Sequence, residues 1–264
     1  MTLFRLILLC ALLASLPSVV AAQGDVPDDL ASVEIRPGWR TGEGRHYAAL
    51  VLRLAPGWKT YWRAPGSLGI PPHLDWGRSR NLAAGAVAWP RPTVIRQPGG
   101  RALGYGGAVV LPLVLRAVDG DAPIRLRGRL SIGVCAEICV PVDLPVRAEL
   151  APGGADDPVI RRALADRPAP MAALPRCRVA PVGGGVAVTF DMAVPPLGGS
   201  EAVAVEVADP SLWVTDAETR RDGDRLRARV EILSRGAVAF DRSAVRVTAV
   251  GRDRAYEAAG CRAG

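Results

Sequence analysis

The sequence is poor in the residues on which many enzyme and metal sites depend. Its 264 residues include two histidines, His46 and His73, and a single lysine, Lys59. So few histidines limit both histidine-based acid–base catalysis and metal ligation. The sequence also lacks G-x-S-x-G, the P-loop, G-x-G-x-x-G and H-E-x-x-H. It therefore gives no support to a hydrolase of that type, a nucleotide-binding enzyme or a zinc peptidase.

The chain lacks any run of five charges of one sign. Its net charge is +7, and 32 of the 33 basic residues are arginine, but acidic residues are interleaved with them, as in residues 218–225. Arginine is enriched together with alanine, glycine and proline, which is typical of a GC-rich coding sequence. Because nucleic-acid-binding proteins concentrate basic residues in patches, the sequence argues against a nucleic-acid partner.

Long apolar segments are missing beyond the N-terminus. Residues 1–22 are typical of a secretory signal peptide, with Arg5 before an apolar stretch at residues 6–14 and small residues at 20–22. Pro17 interrupts the apolar stretch, which is too short for a membrane span. No other segment approaches ~18 consecutive apolar residues. We therefore expect a soluble, secreted chain.

The cysteine count agrees with secretion. Cys10 lies within the signal peptide, and bulky Leu9 before it disfavours a lipoprotein site. The remaining four cysteines form an even number in an oxidising compartment, which predicts disulfides. Three pairings are open, and the spacing favours 135–139 with 177–261. The four are Cys135, Cys139, Cys177 and Cys261.

Alternation of apolar and polar residues predicts β-structure along most of the chain. Residues 124–134 are apolar at even positions and mostly arginine or serine at odd positions, which indicates a strand with one buried face and one wet face. Residues 140–146 repeat the pattern in a second strand. Proline and glycine pairs separate such strands at short intervals, so we predict an all-β fold that begins with a β-sandwich.

One helix is predicted, between two β-domains. Asp157 suits the N-cap and Pro158 the first helical position, and the helix should end before Pro168. Prolines and glycines on both sides mark it as a linker. We therefore predict a signal peptide at residues 1–22, a β-sandwich at 23–150, a linker with a short helix at 151–175 and a second small β-domain at 176–264.

Strand parity places Cys135 directly opposite Cys139 across a loop at residues 136–138, on the face away from the core. An exposed disulfide is easily reduced, and a disulfide that closes so short a loop adds little to the free energy of unfolding. The spacing leaves a redox-active pair and a structural pair both open. Cys-x-x-x-Cys resembles neither half of a usual zinc site, and a Cu(I) site would have only Met171 and Met192 to add.

Cys177 and Cys261 suggest a different role. They lie near the two ends of the second predicted domain and would enclose more than 80 residues. A bond that closes so long a loop removes much of the conformational entropy of the unfolded chain. We expect a structural disulfide here.

Three segments carry a distinctive combination of motifs. They are residues 57–66 (GWKTYWRAPG) with 69–76 (GIPPHLDW), residues 104–107 (GYGG) running into 110–113 (VLPL), and residues 134–141 (VCAEICVP). In this order they resemble the N-terminal periplasmic domain of DsbD-like thiol:disulfide interchange reductases, including the copper-sensitivity-suppressor branch. The resemblance covers roughly residues 30–150, and the second half resembles stand-alone members more loosely.

This resemblance implies an immunoglobulin-like sandwich in the periplasm that relays electrons as a protein-disulfide reductase. Cys135 and Cys139 match the redox cysteines, and no cofactor is implied. A membrane reductase would supply the electrons, and periplasmic acceptors would receive them. The chain resembles a stand-alone member, so the membrane and thioredoxin domains would come from separate proteins. It has three residues between the cysteines where the best-known members have five, and no aromatic residue in the matching shielding loop, residues 95–101.

Two further hypotheses remain open beside thiol–disulfide exchange. One is a non-catalytic periplasmic binding module with structural disulfides, and the other is a copper-handling protein. Within the exchange hypothesis, Arg125, Arg127 and Arg129 on the strand of Cys135 favour a more acidic thiol there. The family resemblance instead implies that Cys139 attacks the partner and Cys135 resolves the mixed disulfide. We adopt this second assignment because exposed arginines several positions away are screened by solvent.

Overall fold

The structure is a computed structural model that describes residues 29–236 and 238–264. The predicted signal peptide at residues 1–22 lies outside the described residues. None of the described helices is both long and apolar enough to cross a membrane.

Ten strands build two antiparallel sheets in the first half of the chain. One sheet has the order β1-β2-β8-β5, and the other has the order β10-β9-β3-β7-β6 with β4 also paired to β9. Their apolar faces enclose a core that contains Trp62 and Leu50. The strands are β1 Ala31–Arg40, β2 Arg45–Leu54, β3 Lys59–Tyr61, β4 His73–Asp75, β5 Leu82–Val87, β6 Thr93–Gln97, β7 Gly100–Gly106, β8 Ala108–Ala117, β9 Ile124–Cys135 and β10 Cys139–Leu150.

A short helix, α1, follows this sandwich at Pro158–Ala165. The Asp157 carboxylate accepts hydrogen bonds from the backbone N–H groups of Val159 at 2.8 Å and Ile160 at 3.2 Å. These bonds satisfy amides that have no partner within the helix, and Pro158 fits the first turn because it lacks an N–H. The predicted N-cap is therefore confirmed.

Ten more strands form two further sheets in the second half. One has the order β11-β19-β18-β14, and the other has the order β15-β17-β13-β12-β20 with β16 also paired to β17. Phe190 and Met192 lie in their common core. The strands are β11 Ala169–Pro170, β12 Arg176–Val182, β13 Gly185–Ala193, β14 Ala202–Glu206, β15 Trp213–Val214, β16 Glu218–Asp222, β17 Arg225–Leu233, β18 Arg246–Val250, β19 Ala255–Ala259 and β20 Arg262–Ala263.

The fold class predicted from the alternating patterns is confirmed: the described chain is almost entirely β, with a short helix between two pairs of sheets. The two halves pack directly against each other, since Val250 and Ala255 of the second half join the core of the first. The domain boundaries at residues 150 and 176 stay predictions.

Candidate functional site

The cysteine pair lies at the end of the β9–β10 hairpin. Cys135 and Cys139 are opposite each other in the register, as the strand parity predicts, and their Cα atoms are 4.1 Å apart. The backbone N–H of Ala136 donates to the carbonyl oxygen of Ile138 at 2.9 Å and closes the loop between them. The two sulfurs are bonded as a disulfide.

The two sulfurs differ in exposure, which the sequence did not predict. Cys139 is exposed, and Ile138 beside it is 54% exposed. Cys135 is only 1% exposed and packs in a small cluster with Tyr61 and Ala102. The prediction that both cysteines lie exposed is therefore wrong for Cys135. Strands β3 and β7 follow β9 in the same sheet. Their side chains Tyr61 and Ala102 pack on the face of the sheet where Cys135 lies, and the alternation of residues within β9 does not reveal this packing.

Strand β3 places two functional groups beside the disulfide. The Tyr61 hydroxyl donates a hydrogen bond to Cys135 Sγ at 3.1 Å and lies 3.6 Å from Cys139 Sγ. Lys59, the only lysine of the chain, is paired with Cys135 in the β3–β9 register. Directly opposed residues of an antiparallel pair project to the same side, so the side chain of Lys59 leaves the sheet on the same side as that of Cys135. The hydroxyl of Thr60 donates to the carbonyl oxygen of Gly133 at 2.9 Å and fixes β3 in this register.

Residues 65–70, which we call the cover segment, lie next to the same face. A methyl group on Gly69 would be 2.8 Å from Cδ1 of the Tyr61 ring, so the segment lies against this ring. Ile70 lies against Gly133, where an added methyl group would be 2.9 Å from its Cβ. Gly133 is two residues before Cys135 on the same side of β9, so the cover segment borders the buried sulfur.

The stretch at residues 95–101 forms part of the β6–β7 hairpin. It supports the cover segment, because the Gln97 side-chain amide donates to the carbonyl oxygen of Leu68 at 3.0 Å. The aromatic residue that shields the disulfide is Tyr61 on β3. Residues 95–101 themselves contain no aromatic residue, as the sequence shows.

The arginines of β9 have carboxylate partners on β10. Arg129 lies 3.1 Å from Asp143, and Arg125 lies 3.1 Å from Glu149. A hydrogen bond from Ser131, together with the neighbouring Arg129, lowers the pKa of Asp143, so this carboxylate stays ionised. Because these pairs neutralise two of the three arginines on the strand of Cys135, the arginines of β9 add little positive potential at its sulfur.

The other candidate ligands of the sequence lie apart from the disulfide. Met192 is buried in the core of the second half, and Met171 packs against that core, so neither can complete a copper site with the cysteine pair. His73 is on β4, and His46 is buried on β2. Within residues 29–236 and 238–264, no three side chains of histidine, cysteine, aspartate or glutamate are grouped as metal ligands.

Cys177 on β12 and Cys261 just before β20 form the second disulfide. Both are buried in the core of the second half. Sequence reasoning did not identify Tyr61 and Lys59 as site residues. Lys59 and Tyr61 lie on either side of the buried Thr60 in β3. Because side chains alternate between the two faces of a strand, this position could have indicated that both face away from the core.

The comparisons with known proteins concern both halves. Residues 30–149 match the family model described as the N-terminal part of the thiol:disulfide interchange protein DsbD. The crystal structure of the N-terminal periplasmic domain of ScsB from Proteus mirabilis has a TM-score of 0.67 and 22% sequence identity, covering 91% of this chain and 97% of that one. This likeness shows a shared fold over both pairs of sheets. A search of curated proteins found no match.

Proposed function

We propose that the chain is a thiol–disulfide exchange module with Cys135 and Cys139 as its redox pair, because residues 30–149 match the family model of the DsbD N-terminal part. The family implies redox partners in the periplasm, and we place the chain in that compartment. The observation that carries the proposal is the asymmetry of the pair, with one exposed sulfur beside one buried sulfur that receives a hydrogen bond.

Electron transfer from the reduced pair takes two exchange steps. The Cys139 thiolate attacks one sulfur of a partner disulfide, a mixed disulfide forms, and the other partner sulfur leaves as a thiolate that takes up a proton. Cys135, after loss of its proton, then attacks Cys139 Sγ and releases the second partner thiolate. Two electrons pass to the partner, which is reduced to a dithiol, and the Cys135–Cys139 disulfide forms.

The surroundings of the two sulfurs support this division of roles. Exchange requires access to the attacking sulfur, and Cys139 offers it while Cys135 does not. The resolving step needs only that Cys135 stay close to Cys139, and their opposed positions in the hairpin ensure this. The hydroxyl of Tyr61 and the ammonium group of Lys59 would both stabilise a developing thiolate at Cys135.

We further propose that the chain acts as a protein-disulfide reductase between a membrane reductase and periplasmic acceptors. In this role the pair must be reducible by a thiol pool. Its midpoint potential should therefore lie above about −300 mV, since structural disulfides lie below that value. Equilibration of the protein in glutathione or dithiothreitol buffers, read by intact mass after alkylation, measures this potential.

A trapping experiment tests the roles of the two cysteines. In the native periplasm, the C135A variant retains the attacking Cys139 and should accumulate mixed disulfides with its partners. The C139A variant should accumulate far fewer. A potential well below −300 mV, or the absence of mixed disulfides with both variants, would instead identify Cys135–Cys139 as a structural bond.

A further inference from the structure

The cover segment is held in place by the second half of the chain. The Asp216 carboxylate accepts hydrogen bonds from the Ser67 backbone N–H at 2.7 Å and from the Ser67 hydroxyl at 2.5 Å. Asp216 also lies against Gly66, where an added methyl group would be 2.8 Å from Oδ1. Gly66 has φ = +90°, a conformation that glycine adopts without strain. The approach of Asp216 thus depends on glycine at this position.

Other contacts between the halves reach the neighbouring strands. The Arg63 guanidinium, two residues after Tyr61, forms a bidentate ion pair with Glu206 at 3.0–3.2 Å and also contacts Glu257. Arg101 donates to the backbone carbonyl oxygen of Glu201 at 3.1 Å and immediately precedes Ala102, which packs on Cys135. The second half therefore contacts residues next to Tyr61 and Ala102, the two residues that pack on Cys135.

A continuous series of contacts joins Asp216 to the buried sulfur. Asp216 accepts hydrogen bonds from Ser67, Gly69 of the same segment lies against the Tyr61 ring, and the Tyr61 hydroxyl donates to Cys135 Sγ. A cleft of about 470 Å³ lies beside this series, lined by both the cover segment and Asp216. Because the cleft provides free space, loss of the Asp216 contact would let the cover segment move.

We propose that Asp216 is a positioning residue for the redox site, which holds the cover segment over Tyr61 so that Cys135 stays shielded and only Cys139 can be reached. The proposal rests on the function proposed above and assigns the second half a part in the site. When a partner thiolate bonds to Cys139 Sγ, the Cys135–Cys139 bond breaks. Its electron pair remains on Cys135 Sγ, which then takes up a proton from water. Shielding of Cys135 prevents the alternative attack and fixes the order of exchange.

Single-thiol variants test this inference without requiring redox activity. In the protein from residue 23 onward, C139A leaves a shielded thiol at Cys135, and C135A leaves an exposed thiol at Cys139. Iodoacetamide modification is followed by mass spectrometry with and without D216A. We expect D216A to raise the rate at Cys135 about five-fold or more, which corresponds to the loss of one to two hydrogen bonds. The rate at Cys139 should change less than about two-fold.

A matched control is available in the same half. Asp209 accepts hydrogen bonds from the backbone N–H and hydroxyl of Ser211, at 2.9 and 2.7 Å, but these bonds stay within one turn. D209A should leave both rates unchanged. S67A, which removes only the hydroxyl donor, should fall between the parent and D216A, and D216N, which keeps an acceptor oxygen, should restore part of the shielding.

Three results would overturn the proposal. They are an unchanged Cys135 rate in D216A, an equal rise at both thiols, and an equal effect of D209A. A rise in the rate at both thiols would indicate a general loosening of the fold. Loss of the Cys177–Cys261 disulfide in D216A would indicate the same loosening. The modification rates report only the shielding of Cys135. If the Cys135–Cys139 bond proved to be structural, the proposed function would be refuted, but the effect of Asp216 on this shielding could still be measured.

Discussion

The Tyr61 hydroxyl oxygen lies 3.1 Å from Cys135 Sγ, and the same oxygen is 3.6 Å from Cys139 Sγ. One hydroxyl therefore contacts both sulfurs, and in the dithiol state it can donate to whichever becomes a thiolate. The hydroxyl should favour the reduced pair, because hydrogen bonds to charged groups are stronger than those to neutral ones.

The Y61F variant should be harder to reduce than the parent. Loss of about 1.4 kcal/mol of thiolate stabilisation lowers the midpoint potential by about 30 mV, which glutathione or dithiothreitol buffers resolve. Y105F is the matched control, because the buried Tyr105 hydroxyl donates to the Pro90 carbonyl oxygen, away from the cysteines. An equal shift in both variants would show that the hydroxyl of Tyr61 has no specific effect on the pair.

Lys59 should lower the pKa of the thiol at Cys135. In the C139A background, K59M should raise the pKa of this thiol, because it removes a positive charge from the residue opposite Cys135. The pH dependence of iodoacetamide modification measures it. R147M removes a cation eight residues along β10 from Cys139, beyond the Debye length, and should have no effect. If the two variants behave alike, the position of Lys59 opposite Cys135 is without consequence.

The Cys177–Cys261 disulfide should contribute mainly to stability. It joins residues separated by 84 positions, for which the chain-entropy model gives about 4–5 kcal/mol, so C177A/C261A should lower the thermal midpoint strongly. The C135A/C139A double variant opens a loop of separation 4 and should cost only about 2 kcal/mol. Thermal unfolding of both variants checks the order. Thiol exchange at Cys135–Cys139 should survive in the folded C177A/C261A protein.

His46 should make the fold sensitive to acid. Burial, with a further contribution from Arg40, lowers the pKa of His46 to about 4 from its usual 6.5. As the pH falls from 6.5 to 4, the unfolded chain binds a proton that the folded protein does not. The free energy of unfolding should therefore decrease by up to about 3 kcal/mol over this window.

Urea unfolding at pH 7 and pH 4.5 measures this acid sensitivity. H46L removes the titrating group and should flatten the difference between the two pH values, whereas the exposed His73 serves as the control through H73L. Equal pH dependence in the parent and in H46L would contradict the assignment.

The elements that sequence reasoning predicted well depend on neighbours along the chain. The register that places Cys135 opposite Cys139 follows from the parity of two adjoining strands, and the start of the helix follows from Asp157 and Pro158. In both cases the decisive interactions span only a few residues. Local chemistry is enough to specify them.

The features that were missed depend on distant segments. Cys135 is buried by Tyr61, 74 positions earlier, and the cover segment is held by Asp216, 149 positions beyond Ser67. Alternation within β9 shows which face a side chain occupies but not whether another strand covers that face. The position of Lys59 opposite Cys135 likewise results from the pairing of β3 with β9. These strands are not joined by a turn, so no turn residue predicts their register.

The Cys177–Cys261 bond also determines how the protein responds to mechanical force. A load applied between residues 29 and 264 would run along the first half, enter the second at Cys177 and cross directly to Cys261 through the sulfurs. The strands between these cysteines would bear none of it. Stretching the oxidised molecule should therefore release the length of the first half alone, and a reductant should add roughly 290 Å of contour, at about 3.5 Å per residue.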